Sequence, residues 1–275
     1  MFSKVLKYDF RAIAKFFWIL AISAIGTACV AGLFLNFSIK LLNDDEYYFI
    51  GTLALLLAIF AIIAFFGSII TVLVLLLINF YKKLFSDEGY LTFTLPVSRK
   101  NILFSKTLNA FIWSLLSGAV LFVGLFIIFI FLPDMPEDMF EGFWEGVWNS
   151  VGAWSIVYTF EIILIILSVI AFSVVLVEFS VTVGATIAKR ARLFVGIAIW
   201  YGSNALLGIV TQFVGLFGTF IIDDVLDTVS SSLGEFGVNA VIALVALIVI
   251  FVVASLTYVL YCIMLSMLER RLNLV

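Results

Sequence analysis

The side chains that carry out most enzymatic chemistry are scarce in this sequence. Its 275 residues include no histidine, which removes the commonest general base and metal ligand together. The two cysteines, Cys29 and Cys262, lie inside apolar runs and read as buried thiols, not as a disulfide or metal site. A metal centre built from cysteine and histidine is excluded. No glycine is followed by lysine, so there is no P-loop to hold a nucleotide. A zinc protease of the HExxH type would lack its histidines. An intramembrane aspartyl dyad would lack its aspartates, since none falls in an apolar run.

Two carboxylates do fall in such a run, Glu161 and Glu178, both within Val151–Ala188. Intramembrane carboxylates are costly and are candidates for function by default. The two are separated by about 25 Å along a helix and about 100° around it, so they do not form a catalytic pair. Glu161 reads equally well as a carboxylate at the outer interface. Glu178 lies nearer the basic end of its run and reads as a conformational or substrate-linked group. Its plainer reading is a carboxylate on the cytosolic extension of a long helix. Asn109, Asn204 and Gln212 join Glu178 as candidate pathway residues, with interhelical hydrogen bonding as the equal alternative.

The elements that must position these groups are membrane helices. Hydrophobic residues make up 65% of the chain and charged residues 12%, against about half and a quarter in soluble domains. A bilayer core about 30 Å thick needs roughly 20 apolar helical residues to cross it. Six segments qualify: Phe16–Leu42, Phe49–Phe80, Thr107–Leu132, Val151–Ala188, Leu193–Ile222 and Val238–Leu268. The basic start followed by an apolar run is too long for a signal peptide and reads as an uncleaved first span. No internal repeat or low-complexity linker divides the chain, so residues 1–275 read as a single all-α transmembrane domain. Phe49–Phe80 would extend about 48 Å if wholly helical, so it either tilts or projects beyond the bilayer.

Charge sets the orientation. Lys4, Lys7, Arg11 and Lys15 precede the first span. Lys82, Lys83, Arg99, Lys100 and Lys106 lie between the second and third, Lys189, Arg190 and Arg192 between the fourth and fifth, and Arg270 and Arg271 after the sixth. Of the basic residues only Lys40 falls on the other face. The positive-inside rule makes the basic face cytoplasmic, with both termini on it. The expected location is the plasma membrane. Within residues 1–17, the cations Lys4, Lys7, Arg11 and Lys15 recur on one helical face, while Phe2, Val5, Leu6, Phe10, Ile13 and Phe17 recur on another. That pattern predicts an amphipathic helix lying at the membrane interface, its cations near anionic headgroups.

The cytoplasmic loop, residues 81–106, holds the most informative stretch. Ser86 followed by Asp87 and Glu88 reads as a helix N-cap with acids in the first turn. Pro96 disfavours helix at Leu95, so a short helix over Asp87–Thr94 is expected, and Ser98 is expected to cap a second helix entering the third span. Leu91–Leu95 also alternates like a strand, but a lone strand has no partner here. A short helix carrying Tyr90, Leu91, Phe93 and Leu95 exposes more apolar surface than a loop needs, so it lies on the membrane or inserts into another protein.

The stretch Glu88-Gly89-Tyr90-Leu91-Thr92-Phe93-Thr94-Leu95-Pro96-Val97-Ser98-Arg99 resembles the loop of bacterial ABC-2-type permease subunits, especially those of Gram-positive exporters. The close match covers about 25 residues of the loop; the six spans and the basic amphipathic start extend the likeness along the chain. The resemblance implies a coupling helix seated in an ATPase groove, with Ser86, Asp87, Glu88, Gly89, Tyr90, Leu91, Phe93, Pro96 and Arg99 at the contact. It implies that the N-terminal surface helix also touches the ATPase. It implies two copies of a separate ABC ATPase chain carrying the ATP and Mg, none of which this chain would bind itself. A second permease, identical or paralogous, and the lipid bilayer complete the implied partners, with no nucleic acid. The function implied is ATP-driven export of a hydrophobic or amphipathic cargo, by family analogy a peptide toxin or antimicrobial peptide, and the chain itself is not an enzyme. An ion-coupled transporter or channel, or a scaffold that transports nothing, are the alternatives.

Three further features are secondary. Ser180, Gly184 and Ala188 make a small-residue stripe that predicts close helix packing. Gly196, Gly202, Gly208, Gly215 and Gly218 predict a bend or break in the outer half of the fifth span, and the resembling family has re-entrant outer helices that Val214–Gly237 would fit. Glu137, Glu141 and Glu145 alternate with Phe140, Phe143, Trp144 and Trp148, which reads as an interfacial anchor or a lid over an exit.

Overall fold

A computed structural model of the chain describes residues 2–44, 46–86, 89, 97–133, 142, 145–149, 152–188 and 191–271, with side chains placed for these except 2–5, 220–224, 233 and 270–271. Five long helices dominate: α1 (Phe2–Leu42), α2 (Tyr48–Phe85), α3 (Arg99–Ile130), α4 (Trp154–Ile187) and α5 (Arg192–Arg271). No strand occurs among the described residues. In α5 two helical limbs meet at Gly234, whose φ of 64° and ψ of −157° leave the helical region. Six stretches are long and apolar enough to cross a membrane: Leu6–Leu42, Tyr48–Phe85, Arg99–Ile130, Trp154–Ile187, Arg192–Thr219 and Gly234–Glu269. Their most apolar windows are only 6–28% buried within the chain, so most of this greasy surface faces outward, as a lipid solvent requires. Among the described residues the chain is all-α, and its six long apolar helices have the architecture of a multi-pass membrane protein.

The helices divide into two compact units, Met1–Lys83 with Phe93–Phe143, and Leu84–Thr92 with Trp144–Val275. In the first unit, α1 and α3 run parallel. Phe10 stacks on Trp113 with ring centroids 4.4 Å apart, and further along Asn36 Nδ2 donates to the Phe131 carbonyl at 2.7 Å. Helix α2 runs antiparallel to α1. Ile13, Phe17 and Ala21 share a buried cluster with Val72, Leu76 and Trp113, Ser23 meets Ser68, and the far ends meet where Gly51 lies against Leu42. Small residues let the helices close in: Ala24 and Ala28 are fully buried beside Phe65, and Gly124 leaves the space that the Phe65 ring fills.

The expected division between a surface helix and the first span is not a break in the backbone. Helix α1 is continuous from Phe2 to Leu42. The reason is packing: Ile13 and Phe17, whose period suited a membrane-facing stripe, are buried against α2 and α3. The third span likewise starts at Arg99, because the helix capped by Ser98 Oγ, which accepts from Asn101 N, flows straight into it.

In the second unit, α4 and the second limb of α5 run parallel. Trp154 packs on Phe236 at 5.4 Å, and Tyr158 Oη donates to Asn239 Oδ1 at 2.8 Å. More than five turns later, Glu178 lies near Tyr261. The first limb of α5 returns antiparallel to α4, and the two backbones nearly touch where Gly184 faces Gly196: a Cβ on Gly184 would collide with the Gly196 backbone. The small-residue stripe of Ser180 and Gly184 thus does what its spacing predicts. Backbone stays helical past Gly202, Gly208, Gly215 and Gly218, so the reversal falls at Gly234 and the expected break in the fifth span does not occur.

Candidate functional site

The loop joining α2 and α3 is the first place to look. Of its expected contact residues, Ser86, Gly89 and Arg99 are described. Asp87, Glu88, Tyr90, Leu91, Phe93 and Pro96 lie outside the described residues. Gly89 N donates to the Ser86 carbonyl at 2.8 Å. A Cβ on Gly89 would sit 2.7 Å from the Leu84 carbonyl oxygen, so this turn needs the glycine. Leu84 is buried. Arg99 opens α3, directly after the Ser98 cap.

The stems of that loop are joined by a residue that pattern reading did not single out. Asp9 Oδ1 accepts from Lys83 Nζ at 2.6 Å, and its Oδ2 accepts from Lys106 Nζ at 2.6 Å. Lys83 sits in the last turns of α2 and Lys106 in the second turn of α3. Asp9 is 6% and Lys106 5% exposed. Both carboxylate oxygens are used in short charge-assisted bonds, the kind that hold a buried charge. Asp9, Ile13 and Phe17 succeed one another at four-residue intervals on the buried face of α1, whereas Lys7, Arg11 and Lys15 are exposed. That was the available signal: one acid on the apolar stripe of a helix otherwise studded with cations. The Lys4 side chain lies outside the described set.

Next to this triad, α3 presents Ser105, Asn109, Trp113 and Ser117 on its buried face. Ser117 Oγ donates to the Trp113 carbonyl at 2.9 Å. Ser105 Oγ, Asn109 Oδ1 and Trp113 Nε1 find no hydrogen-bond partner among the described residues. Trp113 is sandwiched by Phe10 and Phe17.

Of the four candidate pathway residues, one lies in the first unit and three in the second. Asn109 is buried in the first unit. Glu178 is buried in the second, on α4 near Tyr261. Asn204 and Gln212 are exposed on the first limb of α5, and Asn204 Nδ2 donates back to the Trp200 carbonyl of its own helix at 2.8 Å. Glu161 is also buried, one turn from Tyr158 and its bond to Asn239. Glu161 and Glu178 lie seventeen residues apart on the single helix α4, so they remain separate groups. Of the expected outer helix, residues 142 and 145–149 are helical with Trp148 exposed, and the rest lies outside the described residues. No cluster of histidine, cysteine, aspartate and glutamate able to hold a metal occurs among the described residues. Comparison with protein-family models, with curated proteins and with solved structures finds no match to this chain.

Proposed function

We propose that this chain is the membrane-spanning permease subunit of an ATP-driven ABC-2-type exporter. The observation that carries the reading is the segment Glu88–Arg99, an apolar, proline-stopped stretch between the second and third spans whose sequence resembles the coupling loop of that family. The six spans and the segregation of cations support it: under the positive-inside rule this reading has the loop and both termini on the cytoplasmic face of a plasma-membrane protein. In this reading two ABC ATPase chains, carrying ATP and Mg, dock on Ser86–Arg99. A second permease, the same or a paralogue, completes the pathway. The cargo is hydrophobic or amphipathic, with a peptide toxin or antimicrobial peptide as the first candidate, because the spans offer apolar walls and few fixed charges.

The test is to purify the chain with the ATPase encoded beside it and to measure ATP hydrolysis with and without Phe93→Asp. The complex is expected to form, and the substitution to dissociate or uncouple it. A hydrolysis rate indifferent to both the permease and Phe93 contradicts the proposal.

Buried Glu161 and Glu178 favour a second reading, ion-coupled transport, since carboxylates inside spans often carry protons or sodium. Uptake or release driven by an imposed proton or sodium gradient without ATP would support it.

A further inference from the structure

We propose that Asp9 is a positioning residue that clamps the N-terminal segment of α1 to both stems of the 86–98 loop, so that a push on the loop moves α1, α2 and α3 together. The inference rests on the reading of that loop as the ATPase-docking segment. It goes beyond that reading in assigning the transmission step to one carboxylate.

Three observations carry it. First, the geometry is bidentate across three helices: Asp9 of α1 bonds Lys83 of α2 and Lys106 of α3, each at 2.6 Å. These lysines flank the loop, Lys83 three residues before Ser86 and Lys106 seven after Arg99. Second, the clamp is dry on its inner side. Asp9 and Lys106 are nearly fully buried, and just beyond them Phe10, Phe17 and Trp113 stack in one aromatic column. Salt screens such a group far less than a surface pair. Third, α1 is longer than a bilayer core requires. Asp9 lies about 50 Å along α1 from Leu42, against a core of about 30 Å. With Lys40 and Asp44 marking the other interface, the excess length falls at the Asp9 end. The clamp thus joins the ends of α2 and α3 that lead into the loop. Without it, α2 and α3 can splay under load, and motion of the loop is lost before it reaches the spans.

The experiment uses the full permease–ATPase complex with ATP as the only ligand. It measures the affinity of the ATPase for the permease and the permease-dependent stimulation of hydrolysis. Asp9→Asn is expected to leave affinity within twofold, since Asp9 is buried and no residue of the docking loop or exposed cation of the N-terminal helix is changed, and to lower stimulation at least fivefold. The charge-relocated double variant, Asp9→Lys with Lys106→Asp, keeps one carboxylate between two lysines and is expected to regain most of it. Should Asp9→Asn not fold, Lys83→Gln carries the test. It leaves a neutral Asp9–Lys106 pair, releases α2 alone, and is also expected to lose stimulation at unchanged affinity. Wild-type stimulation in folded Asp9→Asn or Lys83→Gln overturns the clamp while leaving the docking reading intact. Failure of the folded double variant to recover overturns it as well. If no ATPase binds the wild-type permease, the docking reading falls and takes the clamp with it.

Discussion

At the scale of single residues, the buried polar groups separate into those that are matched and those that are not. Asp9 uses both oxygens on two lysines. Removing one member of such a buried set leaves a charge uncompensated, which costs roughly 3–5 kcal/mol. Asn109 is the opposite case: its Oδ1 has no partner among the described residues, and a buried acceptor left so costs about 1–3 kcal/mol. Asn109→Leu, close in volume, is therefore expected to hold or raise the thermal midpoint in detergent, by about 1 kcal/mol of stability, and to leave transport intact. A lower midpoint or lost transport would show instead that the amide is bonded to water or cargo. Sequence reading made Asn109 a candidate for a pathway or, equally, for an interhelical hydrogen bond, because an amide in an apolar run fits either. Its packing in the first unit was invisible, since which face of α3 meets α1 depends on Trp113 and its two phenylalanines. Asp9 escaped for a related reason. Among four cations it reads as local charge balance, and only contact with residues 74 and 97 positions away gives it a role.

At the scale of elements, six long apolar helices were legible, because twenty-odd apolar positions in a row admit little else. Their ends were less so. Helix α2 runs on to Phe85 and α3 starts at Arg99: polar residues cease to look membranous but do not cease to be helical. The Ser98 cap was legible because Pro96 and a serine just ahead of a helix form a local signal. Ser98→Ala is expected to lower stability by about 1 kcal/mol, read as a reduced thermal midpoint; an unchanged midpoint would mean that the cap bond is not formed. The glycines of α5 misled. Five of them pass within regular helix, and the reversal is at Gly234, one among many by sequence. Its φ of 64° with ψ of −157° is a region open to glycine almost alone, and other residues there are strained by about 1–3 kcal/mol. Gly234→Ala is expected to destabilise the second unit, with looser packing of Trp154 on Phe236 seen as a red-shifted tryptophan emission. Gly218→Ala, in regular helix with open space around it, is the control and is expected to be neutral.

At the scale of the whole molecule, helix direction and charge agree. In the first unit, α1 and α3 leave from the end where Lys83 and Lys106 meet Asp9, and α2 arrives there. In the second, α4 and the second limb of α5 run alike, and the first limb returns between Gly196 and Gly234. These directions match the alternation of the basic segments along the sequence. A topology assay follows. In a background with Cys29 and Cys262 replaced by alanine, a cysteine at Asp45 is expected to react with an impermeant maleimide added outside intact cells. A cysteine at Lys189 is expected to react only after permeabilisation. The reverse pattern would invert the orientation and remove the loop from the cytoplasm.

If the 86–99 loop docks on a separate ATPase, as proposed, photo-cross-linking from the loop captures that contact. Tyr90 is replaced by a photo-reactive amino acid, with the same replacement at Tyr48, at the opposite end of α2, as the control. Irradiating cells that also express the neighbouring ATPase is expected to give a covalent permease–ATPase adduct from position 90 and none from position 48. Adducts from position 90 that join only to this chain's own helices, with the ATPase present and folded, would contradict the account.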